Sequence, residues 1–83
     1  MSKIYRINPE FLLEELENEC VFHNEEYLIS LGKFEFLLVQ LFREPKTITE
    51  AFEIAKTIFL GADYDDFLVF VNTLISTEIL IQL

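Results

Sequence analysis

Cys20 and His23 are the one pair in this chain whose residue types and spacing suggest chemistry. A thiol and an imidazole three positions apart can be a metal-ligand pair or a nucleophile with its base. Both readings meet the same obstacle. The pair lies in a β-prone run, and on a strand side chains three positions apart point to opposite faces. They are also the only cysteine and the only histidine, so no second pair completes a tetrahedral site. The better expectation is a small buried thiol and a partly exposed imidazole, with no metal and no cofactor.

Carboxylates are the other abundant reactive type, among them Glu14, Glu15, Glu17, Glu19, Glu25, Glu26, Asp63, Asp65 and Asp66. Acid–base catalysis needs such groups enclosed and shifted in pKa. An 83-residue chain that is 52% hydrophobic uses most of its bulk for its core and has little room for that enclosure. The two glycines are too far apart for a phosphate loop. No catalytic residue is expected, and the chain reads as a binding protein.

Charge narrows what it could bind. Six basic residues against fifteen acidic ones give a formal net charge of −9. Lys3, Arg6, Lys33, Arg43, Lys46 and Lys56 are scattered, whereas a nucleic-acid site needs a clustered basic footprint. The same field disfavours an anionic membrane surface. The longest apolar run, Phe67 to Val71, is far below the roughly 20 residues that span a bilayer. The N-terminal MSKIYRINPEF lacks a signal-peptide core, and a lone cysteine makes no internal disulfide. The expectation is a single cytoplasmic domain over residues 1–83.

The elements that position these residues follow from periodicity and punctuation. Asn8-Pro9 marks an early turn or strand entry. Cys20–His23 and Tyr27–Leu31, separated by Asn24-Glu25, read as a hairpin, and Phe11 to Glu17 as a third strand that would stabilise it. Lys33 to Phe42 has no breaker and is closed by Glu44-Pro45, which predicts a helix. Thr47-Ile48-Thr49-Glu50 is a capping box opening a second helix that runs to about Leu60, with Gly61 as its stop. Asp63 caps a third helix, Tyr64 to about Ser76. Ile79–Leu83 is a final strand or a packed end. The fold class predicted is α+β, with the helices packed on one face of the sheet.

Two of these elements carry more apolar surface than a core requires. On a wheel of about 100° per residue, Leu68, Val71 and Ile75 lie within about 40° of Tyr64, and Phe67, Leu74 and Phe70 form a shoulder. The arc spans about 160° on the same spacing, against a stripe of roughly 100° for a surface helix. The shoulder is therefore a candidate for contact beyond the core. In the strand, Tyr27, Ile29 and Leu31 share one face and Leu28 and Ser30 the other. If that strand is an edge, only Glu25 and Glu26 guard it. An open edge beside an apolar helix flank would accept an extended peptide. The competing reading is that these residues complete a tight core.

The order and spacing of these segments resemble the PqqD-like family of winged-helix-like precursor-peptide recognition elements. The resemblance covers Phe11 to Leu80. It rests on Tyr27–Leu31, on Leu38, Leu41 and Phe42, on Thr47-Ile48-Thr49-Glu50, and on Val71, Leu74, Ile79 and Leu80. The chain departs from the pattern at Gly32, where the family often has Asn, at Glu35, where it often has a small residue, and at Glu78, where it often has Gly.

The resemblance implies a three-stranded antiparallel sheet followed by three helices. It implies a protein that binds the leader region of a ribosomally made precursor peptide and presents it to a modifying enzyme. In this family that enzyme is often a radical-SAM maturase, or a protease or cyclase in lasso-peptide and related systems, and any iron–sulfur cluster would belong to that partner. The leader would pair along the third strand and lie against the third helix. Those positions correspond here to Tyr27, Leu28, Ile29, Ser30 and Leu31, and to Tyr64, Phe67, Phe70, Val71 and Leu74. Two other functions compete. One is a winged-helix transcription module, although Tyr64–Ser76 contains no Lys or Arg. The other is a structural subunit that forms a homodimer through its own apolar edge.

Overall fold

In the computed structural model, which describes residues 2–83, the chain runs β1 (Tyr5–Ile7), β2 (Leu12–Glu15), β3 (Glu19–His23), β4 (Leu28–Gly32), α1 (Lys33–Gln40), a 3-10 turn (Leu41–Arg43), α2 (Ile48–Ile58), α3 (Tyr64–Ser76) and β5 (Leu80–Gln82). This is the predicted α+β, winged-helix-like order of a three-stranded antiparallel sheet, β2-β3-β4, followed by three helices. A second sheet, β1-β5, joins the two ends of the chain.

Asn24 sets the hairpin. Its Oδ1 accepts from the amides of Glu26 and Tyr27 at 2.9 and 2.7 Å, a side-chain turn that mimics a backbone one. The register that follows puts Cys20 opposite Leu31 and Phe22 opposite Ile29 on one face. The other face carries Glu14, Val21, His23 and Ser30. Cys20 and His23 accordingly point to opposite sides. Cys20 is fully buried, and His23 Nε2 lies 3.3 Å from the exposed Glu14 carboxylate.

α1 continues directly from β4. The Glu35 carboxylate accepts from the Gly32 amide at 3.1 Å and closes the helix start. The helix becomes a 3-10 turn at Leu41, one residue before the Phe42 expected from the sequence, and the Lys46 ammonium donates to the Leu41 carbonyl. Thr47 caps α2 as predicted: its Oγ1 accepts from the Glu50 amide at 3.1 Å and its amide donates to Glu50 Oε1 at 3.0 Å. α2 ends at Ile58, two residues short of Leu60, and Gly61 turns the chain at φ +77°. Asp63 Oδ2 accepts from the Asp66 amide at 3.1 Å and starts α3.

The sheet face of Cys20, Phe22 and Leu31 packs on Phe36 and Val39 of α1, Phe42 of the 3-10 turn, Ala51 and Ala55 of α2, and Phe67, Val71 and Leu74 of α3. Burying each large side chain of this set contributes about 1.5–3 kcal/mol. The chain ends are tied in by Asn8, whose amide donates to the Ile79 carbonyl at 2.7 Å and whose Nδ2 donates to the Glu78 carbonyl at 3.0 Å.

Glu78 sits at φ +64°, a left-handed conformation unfavourable for a residue with a Cβ. Replacing Glu78 with Gly is expected to stabilise the fold by about 0.5–1 kcal/mol, net of the entropy glycine adds to the unfolded chain. Urea denaturation of the two proteins measures it; an unchanged or lower midpoint for Glu78→Gly contradicts the strain.

The Thr47 amide, aided by the Thr47 hydroxyl, holds the Glu50 carboxyl below its ordinary value. The folded form has the lower pKa, so this stabilisation is complete above the unfolded carboxyl range. It is lost as pH falls through the folded value. The stability advantage of the wild type over Glu50→Gln should therefore shrink on acidification in that window, as read from denaturation midpoints at stepped pH.

Candidate peptide-binding edge and apolar cleft

β4 is an edge strand. It pairs with β3 alone, and among the described residues no other strand meets its outer side. The ladder decides which backbone groups are left over. The Asn24 amide donates to the Tyr27 carbonyl at 2.9 Å, so Asn24 and Tyr27 form a hydrogen-bonded pair. Such pairs alternate in an antiparallel ladder, which makes Phe22–Ile29 and Cys20–Leu31 the next ones. Ile29 and Leu31 thus direct their main-chain groups to β3. Leu28, Ser30 and Gly32 direct theirs outward, and the Gly32 amide is already taken by Glu35. The Leu28 and Ser30 N–H and C=O groups remain for a partner strand.

The side chains along this edge divide as the alternation predicts. Leu28 is 73% exposed, and Ser30 is exposed with its hydroxyl donating to Glu19 Oε2 at 2.5 Å. Ile29 is half-buried against the core and Leu31 is buried. Tyr27 precedes the strand and is half exposed. β2 is the opposite edge of the same sheet and its residues are all exposed, but it carries Glu14 and Glu15. Charges on an edge discourage pairing; β4 has none between Leu28 and Gly32.

α3 requires a correction. Phe67, Val71 and Leu74 are buried, so they are core and not part of a free flank. The buried stripe is centred about 50° from Tyr64 on a spacing of about 100° per residue, between Phe67, Val71 and Leu74. Tyr64 is the first residue of α3 and lies off the centre of that stripe. It stays 40% exposed and packs edge-on against Phe52, with ring centroids 5.1 Å apart. The surplus of the wide apolar arc is divided between its margins, Phe70 on one side and Leu68 and Ile75 on the other, all half-buried. Leu31 is likewise core. Tyr27, Leu28, Ile29, Ser30, Tyr64 and Phe70 retain accessible surface.

A cleft the sequence reading missed lies between the helices. Leu38 of α1, Ala55 and Phe59 near the end of α2, and Phe67 and Phe70 of α3 line it, with Asp63 and Asp66 at its mouth; its volume is about 270 Å³. Phe34, 72% exposed, packs edge-to-face on Phe59 with centroids 5.8 Å apart. The available signal was the doubled pattern of α1. Phe36 and Val39 make one buried stripe, while Phe34 and Leu37 stay exposed on a second, with Leu38 half-buried against the core at its margin.

Among the described residues no group of His, Cys, Asp and Glu is placed to hold a metal ion, and no helix is long and apolar enough to cross a membrane. Comparison with family models, with curated proteins and with solved structures finds no match to this chain.

The free edge makes a direct prediction for backbone amides. In hydrogen exchange followed by NMR, the Leu28 and Ser30 amides should exchange far faster than those of Ile29 and Leu31. Equal protection along the strand would show that the edge is covered.

Proposed function

We propose that this domain is a non-catalytic, cytoplasmic binding protein that takes an extended peptide as an added strand on β4. The peptide class is the leader region of a ribosomally made precursor, and the complex is presented to a modifying enzyme such as a radical-SAM maturase. The observation that carries this reading is the outer edge of β4. Among the described residues its Leu28 and Ser30 main-chain groups have no partner strand, and its five residues include no charge. Main-chain bonds to such an edge give affinity, and side-chain pockets beside it give specificity.

Fewer residues serve this role than the sequence suggested. Leu28 and Ser30 pair with the peptide backbone. Tyr27 and Ile29 offer side-chain surface beside the edge, and Leu31 anchors the strand in the core it shares with Phe67, Val71 and Leu74. Tyr64 and Phe70 of α3 lie away from the edge, Tyr64 against Phe52 of α2 and Phe70 in the wall of the helical cleft. The resemblance to the PqqD-like family supports the choice of a leader peptide. The charge of −9 and an α3 without Lys or Arg argue against nucleic acid. They weigh against a homodimer as well, because joining two such chains edge to edge brings like charges together.

Ser30→Pro separates the edge from the fold. It removes an outward amide and leaves the β3 ladder intact, which proline tolerates on an edge strand. Peptides selected from a displayed library of random twelve-residue sequences should bind the wild type and lose most of their affinity for Ser30→Pro. The circular dichroism spectrum should stay native. Binding should also slow exchange of the Leu28 and Ser30 amides; tight binding that leaves those two amides unprotected would rule out strand addition.

A further inference from the structure

The helical cleft lies off the β4 edge but is connected to it. No β4 residue lines it. Phe34, however, stands two residues beyond the end of β4 and packs on Phe59, which does line the cleft. Exposed apolar surface therefore runs from the end of the open edge to the cleft mouth. At about 270 Å³ the cleft is smaller than the roughly 300–1,000 Å³ of a small-molecule site and suits one large side chain.

The charge of the mouth says what should accompany that side chain. The lining includes two carboxylates, Asp63 and Asp66, and no cation. Asp63 is engaged, since its Oδ2 accepts from the Asp66 amide. The Asp66 carboxylate makes no hydrogen bond or ion pair among the described residues.

Resting on the strand-addition reading, we infer that the peptide held on β4 carries a large apolar residue next to Lys or Arg, just beyond its paired segment. The apolar side chain fills the cleft between Leu38, Phe59, Phe67 and Phe70, and the cation meets Asp66. The apolar contact supplies affinity. The cation supplies selectivity and a faster encounter with an acidic protein.

The test uses the full chain and synthetic peptides copied from the displayed twelve-residue library, with fluorescence anisotropy as the readout. Selected sequences should share the apolar–basic pair on one side of the paired segment. Asp66→Lys should weaken them roughly fivefold, the effect of removing an exposed ion pair and adding a like charge. Changing the basic residue of the peptide to Glu should restore binding to Asp66→Lys, a rescue that general misfolding cannot produce. Selected peptides that lack the pair, or that ignore Asp66→Lys while still losing affinity for Ser30→Pro, overturn this inference and leave strand addition standing. No selected peptide at all, or binding indifferent to Ser30→Pro, overturns both.

Discussion

A three-stranded sheet with one buried face is the constraint from which the rest of this structure follows. Cys20, Phe22 and Leu31 form that face, and Val39, Phe42, Val71 and Leu74 close over it. Each strand has a fixed period of two, so burying Phe22 and Leu31 obliges Val21, His23 and Ser30 to face away. With helices on one side and only three strands, the sheet necessarily keeps two margins. The short β1-β5 pair does not extend it; it ties the chain ends together through Asn8.

The margins are treated differently. β2 carries Glu14 and Glu15, whose charge and hydration oppose the addition of another strand. β4 reads LISLG, and one of its three outward amides is already satisfied by Glu35. Glu35 thus closes the first turn of α1 and covers the end of the adjoining edge. Gly32 and Glu35 therefore act together as one local device at the β4–α1 junction. Only Leu28 and Ser30 are left with outward main-chain groups.

The three helices share their apolar surplus. α1 carries two stripes, α2 ends in Phe59, and α3 has an apolar arc wider than one contact can cover. Where these surpluses meet, the packing leaves a cleft instead of a seal. Phe67 contributes to both, since it is 5% exposed and still lines the cleft wall. A ring rigidly held by the core makes a better pocket wall than a free one, because little side-chain entropy is lost when a ligand arrives.

Local signals were legible in the sequence because they act within a few residues. The Asn24 turn, the Thr47–Glu50 box, the Asp63 cap and the Gly61 stop each depend on a side chain or backbone reaching a neighbour about three positions away. The separation of Cys20 from His23 followed from strand alternation alone. Tertiary structure decided what depends on distant surfaces. It placed the centre of the α3 stripe at Phe67, Val71 and Leu74, because a helix buries whichever part of a broad apolar arc its neighbours reach. It joined β1 to β5, elements about 75 residues apart in sequence that no local period connects. It also left β4 at a margin and opened the helical cleft, since an edge or a hollow exists only by virtue of what the rest of the chain fails to cover.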